Sequence, residues 1–297
     1  MYELKPIAEK IQEADAILIG ASNGLSIAEG LHLFADNQAF EDLFSDFKEK
    51  YGLRCLLHGM GARWSSEEVK WAFWSRLIHH YCGQYQPTQV MQDLRAIVGS
   101  KDYFVLTSNG ECHFEHSGFV PEKIYEIEGT WLTMQCARPC HDTLYPTLEL
   151  AAQMAAAEQD GRIPSDLVPR CPRCGGPMEV HMAAGPNMVP DHGARQRFQK
   201  FLNQYHEKQL VVLELGIGWR NQLIKAPLMR LVAREPNAAY ITINLGEVCI
   251  ADSIKHKSFG LDGSLSEILS ALRKQKCTID HKVQIGDSLN DTGPKQE

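Results

Sequence analysis

Four cysteines in this chain stand in two tight pairs. Cys136 and Cys140 are separated by three residues; thirty residues later come Cys171-Pro172-Arg173-Cys174, followed by Gly175-Gly176. Four thiolates brought together in two pairs satisfy the tetrahedral preference of zinc, and glycines after the second pair allow a knuckle turn. An all-sulfur site leaves no open coordination position, so the expected role is structural. The other five cysteines (Cys55, Cys82, Cys112, Cys249, Cys277) show no pattern. With no secretion signal in the polar, helix-like start MYELKPIAEK, reduced thiols in a cytoplasm are expected rather than a disulfide framework.

Three further groups of residues suit the binding of a phosphate-bearing ligand. Gly20-Ala21-Ser22-Asn23-Gly24-Leu25-Ser26 follows the apolar run Ala16–Ile19. Glycines there let a backbone approach a pyrophosphate, and the N–H groups that open the next helix add partial positive charge. A tight turn with no ligand has the same appearance. Thr107-Ser108-Asn109-Gly110-Glu111 follows a second apolar run, Tyr103–Leu106. A buried amide and carboxylate at a strand end can grip ribose hydroxyls or a carboxamide; a solvated turn capped by Asn109 is the plain alternative. Gly216-Ile217-Gly218 follows Leu210–Leu215, and Asn244 ends the run Ala239–Asn244. Glu128, in Glu126-Ile127-Glu128-Gly129, lies at an expected strand end just before the first cysteine pair. His113 and His116 share a three-residue spacing but have no obvious acidic partner, and both are read as nonligands.

These pieces need a frame. Strand, glycine turn and helix recur on both sides of a cysteine-, proline- and glycine-rich segment, which argues for an α/β fold: a Rossmann-like open parallel sheet with helices on both faces, plus a small zinc-binding domain and a helical insert. The expected division is 1–128 for the first part of the nucleotide-binding domain, with the helical insert at about 31–98. The zinc module takes 129–190, the second part of the nucleotide-binding domain 191–285, and a flexible tail 286–297. In open parallel sheets ligands sit beyond the carboxyl ends of the strands, so the turns after the four runs are expected to converge on one crevice.

The 297 residues suffice for one large domain or a core with an insert, and 44% hydrophobic with 23% charged residues is ordinary globular usage. The formal net charge of −7, with no basic cluster, argues against nucleic acid as a partner. No apolar run approaches the ~20 residues of a membrane-spanning helix.

Taken in order from about Ile7 to Arg273, the motifs resemble the sirtuin family of NAD-dependent deacylases and ADP-ribosyltransferases. Ser22-Asn23-Gly24-Leu25-Ser26 occupies the family's G-A-G-x-S turn, with Gly30 at its downstream glycine. Thr107 to Glu111 matches its T-Q-N-x-D segment, and Gly118 falls at the end of its A-G pair. Four zinc cysteines, Gly216-Ile217-Gly218 and Ile243-Asn244 follow. The resemblance implies NAD as co-substrate and structural zinc. It assigns Gly20, Ala21, Ser22, Gly24, Ser26, Phe34, Ser108, Asn109, Gly216, Gly218 and Asn244 to the dinucleotide. It assigns Asn109, Glu111 and Glu128 to catalysis, and Cys136, Cys140, Cys171 and Cys174 to the metal.

The departures are specific. Glu128 replaces the histidine that serves family deacylases as general base, Phe34 is followed by Ala35 instead of the arginine of D-F-R, and Glu179–Gly185 has no counterpart of the peptide-clamping F-G-E segment. These losses make the chain most similar to the macrodomain-linked microbial branch, which modifies partner proteins with ADP-ribose. A lipoyl-carrier protein resembling glycine-cleavage H protein is thereby implied as acceptor, and a macrodomain hydrolase as a member of the same pathway. A deacylase of unusual acyl specificity is the alternative, and a nonenzymatic NAD-binding or zinc scaffold ranks third.

Overall fold

The computed structural model describes residues 3–183 and 187–290, with side chains described as far as 279. Its strands, in chain order, are β1 (Ala16–Ala21), β2 (Asp102–Thr107), β3 (Ile124–Glu126), β4 (Gly129–Cys136), β5 (Tyr145–Pro146), β6 (Met178–Met182), β7 (Leu210–Leu215), β8 (Ala239–Asn244) and β9 (Ser258–Asp262). The chain divides into two compact units. One comprises residues 1–28, 88–106 and 198–297, the other 29–87 and 107–197.

In the first unit the strands lie in the order β2-β1-β7-β8-β9. β1 pairs with β7, β7 with β8 and β8 with β9, all parallel, in the register Ile17↔Val211, Val212↔Tyr240 and Ile241↔Phe259. Every residue of β1 and of β7 is buried, which explains why these strands read as continuous apolar runs: both faces are covered. The helix Gln222–Arg234 packs on β1, β7 and β8, while Lys5–Glu13 and Gln89–Val98 pack against the long helix Leu265–Asn290. The last part of the expected tail, 291–297, lies outside the described residues.

The second unit is built around an aromatic core. The helix Gln38–Tyr51 starts at Asn37, whose side chain accepts from the Phe40 N–H at 3.0 Å. It buries Phe40, Phe44 and Phe47, a spacing of three to four residues that lines one helical face. Phe44 and Phe73 meet with ring centroids 4.7 Å apart, and Arg76 lies over Phe44 and Phe47 while pairing with Asp46 and Glu158. The same core takes in Trp131, Met134 and Cys136 of β4 and Met178 and Val180 of β6. The helical segment and the cysteine-bearing segment thus share one core. β5, β4 and β6 form an antiparallel sheet in that order. No described helix is long and apolar enough to cross a membrane.

Candidate functional site

In the first unit, two glycine turns at the carboxyl ends of neighbouring parallel strands are stitched together. The Gly24 N–H donates to the Gly216 carbonyl at 2.9 Å, and the Ser22 N–H reaches the Leu215 carbonyl at 3.4 Å. A Cβ on Gly24 would stand 2.5 Å from the Gly216 Cα, and Gly216 has φ +62°, so neither position accepts a side chain without displacement. Four residues before Gly24, within β1, a Cβ on Gly20 would meet the Leu228 side chain at 2.3 Å. Ser22 and Ser26 are buried at 2% and 1% exposure, and the Ser22 hydroxyl accepts from the Asn221 amide at 2.8 Å. Asn221 carries no motif, and its contribution was invisible in the sequence. Asn244 ends β8, with its amide donating to the Glu247 carbonyl at 2.8 Å. Gly218 borders open space.

Beneath this turn Glu214 is completely buried. Its carboxylate receives Lys225 at 2.5 Å, the Thr242 hydroxyl at 2.8 Å and the Tyr240 hydroxyl. Burial first, then the Glu214 charge, pushes the Tyr240 phenol far above its ordinary range.

In the second unit, the Asn109 and Glu128 segments abut. The Asn109 N–H donates to the Thr107 hydroxyl at 3.0 Å, and the Trp131 N–H donates to the Gly110 carbonyl at 2.8 Å. The Ile127 N–H closes on the Thr107 carbonyl at 2.9 Å. A Cβ on Gly110 would stand 2.9 Å from the Gly129 carbonyl, and one on Gly129 (φ +87°) 2.3 Å from the His181 carbonyl. Asn109 and Glu111 are 6% and 3% exposed. Three expected catalytic residues, Asn109, Glu111 and Glu128, are therefore carried by adjoining backbone, with Ser108 directly before Asn109. Phe34 belongs to the same unit, half exposed, with its ring edge-on to His32 at 6.3 Å.

Burial raises the Glu128 carboxyl above its usual range. Glu126 is raised further, by burial and then by the neighbouring Glu115 and Glu111 carboxylates; Glu115 is itself raised by burial. Cys112, at φ +60°, has its thiol pushed up by its hydrogen bond with Cys82 and by burial, which disfavours the thiolate. Sequence spacing singled out neither Glu126 nor Glu115, because their crowding is tertiary.

The four paired cysteines converge. Sγ of Cys136 lies 3.6 Å from that of Cys174, and Sγ of Cys140 lies 3.5 Å from Cys136 and 3.6 Å from Cys171. All four sulfurs fall within 4.8 Å of one another. A tetrahedron with zinc–sulfur bonds of about 2.3 Å has edges of about 3.8 Å, so the donor set fits zinc. The site is closed by sulfur on every side, which makes it a staple between β4 and the 171–174 knuckle. His141 adds an outer contact, its Nδ1 2.9 Å from the Cys140 Sγ and its Nε2 2.8 Å from the Tyr145 hydroxyl. Its adjacency to Cys140 is a signal already present in the sequence.

No family model matches the sequence. A protein of Staphylococcus aureus named protein ADP-ribosyltransferase is 32% identical over 289 residues, covering 95% of this chain and 91% of that one. A Fusarium oxysporum f. sp. cubense protein named a probable bifunctional ADP-ribose hydrolase/ADP-ribosyltransferase is 30% identical over 222 residues, 71% of this chain and 36% of that longer one. Among solved structures, a Sir2 homologue in complex with NAD superposes with a TM-score of 0.64 at 16% identity, covering 94% of this chain and 95% of the other. A mutant Sir2 homologue in complex with ADP-ribose gives 0.62 at 15%, covering 94% and 98%. Those two likenesses establish the fold, and the nearly end-to-end match to the staphylococcal protein establishes kinship. By that kinship the chain belongs to the sirtuin family.

Proposed function

We propose that the chain is an NAD-dependent protein ADP-ribosyltransferase: it releases nicotinamide from NAD and transfers ADP-ribose to a partner protein. The observation that carries this reading is a half-buried carboxylate, Glu128, on backbone adjoining Asn109 and Glu111, where family deacylases hold a histidine. The near full-length match to a protein named for this activity supports it.

In the reaction the C–N glycosidic bond breaks, its electron pair leaves with nicotinamide, and positive charge develops at the anomeric carbon. An acceptor nucleophile then bonds to that carbon and surrenders its proton. Preorganised negative charge stabilises such a cation, and water must be kept from it or NAD is merely hydrolysed. Glu128 stabilises the cation or takes the acceptor's proton; Asn109, Glu111 and Ser108 hold the nicotinamide ribose and carboxamide, with Phe34 alongside. Ser22, Gly24 and Ser26, at and within the start of the short helix Asn23–Ala28, hold the phosphates together with Gly20 and Ala21, which end β1. Gly216, Gly218 and Asn244 hold the adenosine half. Zinc on Cys136, Cys140, Cys171 and Cys174 is structural.

The acceptor is assigned to a lipoyl-carrier protein of the glycine-cleavage H type, on the branch resemblance. A macrodomain hydrolase in the same pathway is supported by the fungal relative, whose name joins an ADP-ribose hydrolase to an ADP-ribosyltransferase. A cytoplasmic setting suits four thiolates that must stay reduced to bind zinc.

The test is incubation with NAD and a lipoyl-carrier protein, read by nicotinamide release and intact mass. A carrier heavier by one ADP-ribosyl group is the expected result. O-acyl-ADP-ribose from acyl-lysine peptides, with no modified carrier, would instead establish the deacylase reading that the retained Asn109 and acidic Glu111 favour.

A further inference from the structure

The segment that carries Asn109 and Glu111 is held from one side by the turn ending the helical part of the second unit. After the helix Glu67–Ile78 the backbone widens into a π-helical turn, His79–Gly83. Such turns are rare and redirect groups that an α-helix would keep in its own ladder. Here the Cys82 thiol donates to the Glu111 carbonyl at 3.4 Å, and the Tyr81 carbonyl lies 3.2 Å from His113 Nε2. Three residues past Cys82, the Tyr85 ring stacks on the His113 imidazole, centroids 3.9 Å apart and planes 12° from parallel. The Tyr85 hydroxyl donates to the Glu29 carboxylate and meets the Ser117 hydroxyl at 3.2 Å. Glu29 directly precedes Gly30, at φ +95°, in the loop that matches the family's glycine motif.

The proton positions follow from these partners. Nε2 of His113 faces a carbonyl oxygen and must carry the hydrogen, which leaves Nδ1 bare. Nδ1 lies 3.7 Å from Glu29 Oε2, and the side chains of His113 and Glu29 are 5% and 1% exposed. Burial drives the His113 imidazole down to about 4, with the nearby His116 adding to the fall, so His113 is neutral through the physiological range. The groups facing it are Glu29, Tyr85, His116 and the Tyr81 carbonyl. Leucine and phenylalanine would fill this space without desolvating a carboxylate and an imidazole. Buried polar groups fixed by a hydrogen bond and a ring stack admit fewer arrangements than apolar packing does.

We propose that Tyr85 and His113 are positioning residues for nicotinamide release: the stacked pair, with its bridge to Glu29 and Ser117, holds the Asn109–Glu111 segment and the Glu29-Gly30 turn in one register. The proposal rests on the ADP-ribosyltransferase reading. Neither residue touches the reacting atoms; both act through Glu111 and the loop at Glu29.

Steady-state nicotinamide release, with NAD varied from pH 5 to 9, tests it. Tyr85→Phe keeps the ring stack and removes only the hydroxyl. Its kcat should fall about 10- to 100-fold with KM for NAD changed less than about threefold, because misplacement spoils the transition state more than ground-state binding. Ser117→Ala should lower kcat in the same direction by less. Tyr85→Ala uncovers His113, returns it toward the ordinary histidine range, and should add a second acid-side titration between about pH 5 and 7 to the one that Glu128 gives wild type. Folded Tyr85→Phe and Ser117→Ala variants with wild-type kcat, at unchanged thermal midpoints, would overturn the proposal. Wild-type protein that releases no nicotinamide would overturn the transferase reading and this one together.

Discussion

Gly24 and Gly216 lie so close that a methyl group on Gly24 would penetrate the backbone of Gly216, 2.5 Å from its Cα, while their main chains share a 2.9 Å hydrogen bond. This contact ties the turn after β1 to the turn after β7. It makes the two glycine motifs one structural object, although some 190 residues of chain separate them.

Gly24→Ala should therefore push the two turns apart. The expected cost is about 1–3 kcal/mol of stability, the range for forcing volume into a packed site, with NAD affinity falling at least about tenfold. Gly218→Ala meets nothing within 4 Å and should stay within about 0.5 kcal/mol of wild type. Denaturant unfolding and NAD titration of the two variants check the contrast; equal effects would show that the turn tolerates separation.

Glu128 must be ionised to serve as base or counter-charge, and burial raises its pKa. Acceptor-dependent turnover should therefore climb with pH through an apparent pKa above the ordinary carboxylate range. Glu128→Gln should flatten that limb and slow transfer by roughly 10²- to 10⁴-fold. Identical pH profiles for the two proteins would remove Glu128 from the mechanism.

Glu126 has a folded-state pKa raised by burial and by Glu115 and Glu111. Between the unfolded value and the raised folded value the native state binds more protons than the unfolded chain, so stability falls as pH rises through that interval. Stability contributed by neutral Glu126 is complete only below the unfolded carboxylate range. Glu126→Gln should be more stable than wild type at pH 8, and the advantage should shrink toward pH 5. Urea unfolding at the two pH values measures it; an advantage that grows on acidification would contradict the assignment.

One zinc per chain is expected by elemental analysis. Cys171→Ser, or a strong chelator, should remove it and lower the thermal midpoint, because the four sulfurs join β4 to the 171–174 knuckle and Cys136 and Cys171 reach into the aromatic core. Nicotinamide release should disappear with the fold of the second unit, and added zinc should restore both after chelation.

Lys225→Met would leave the Glu214 carboxylate, 0% exposed, without its cation. The expected loss is about 3–5 kcal/mol, as for breaking any buried pair from one side. Replacing Glu214 and Lys225 together by apolar residues should recover much of that loss, a result that chemical denaturation of the single and double variants would reveal.

The sequence was legible where the determinants are local. β1 and β7 announced themselves as apolar runs because both their faces are buried, and the zinc donors did so because a knuckle fixes ligand spacing within four residues. The helix His192–Gln204 starts where the Asp191 side chain accepts from the Ala194 N–H at 2.7 Å, a bound set by capping and not by apolar period. His113 gave a spacing without a partner. Its partners, Tyr85 and Glu29, lie 28 and 84 residues upstream, and only the fold brings them to one imidazole.

Residue types and short spacings determined the parallel sheet, the zinc staple and the family. The tertiary structure alone decided which carboxylates are buried together, which histidine is neutral and which lysine is fully enclosed. The physical reason is range: strand burial and metal knuckles are written within a few residues, whereas desolvation and charge pairing depend on which distant segments exclude water from one another.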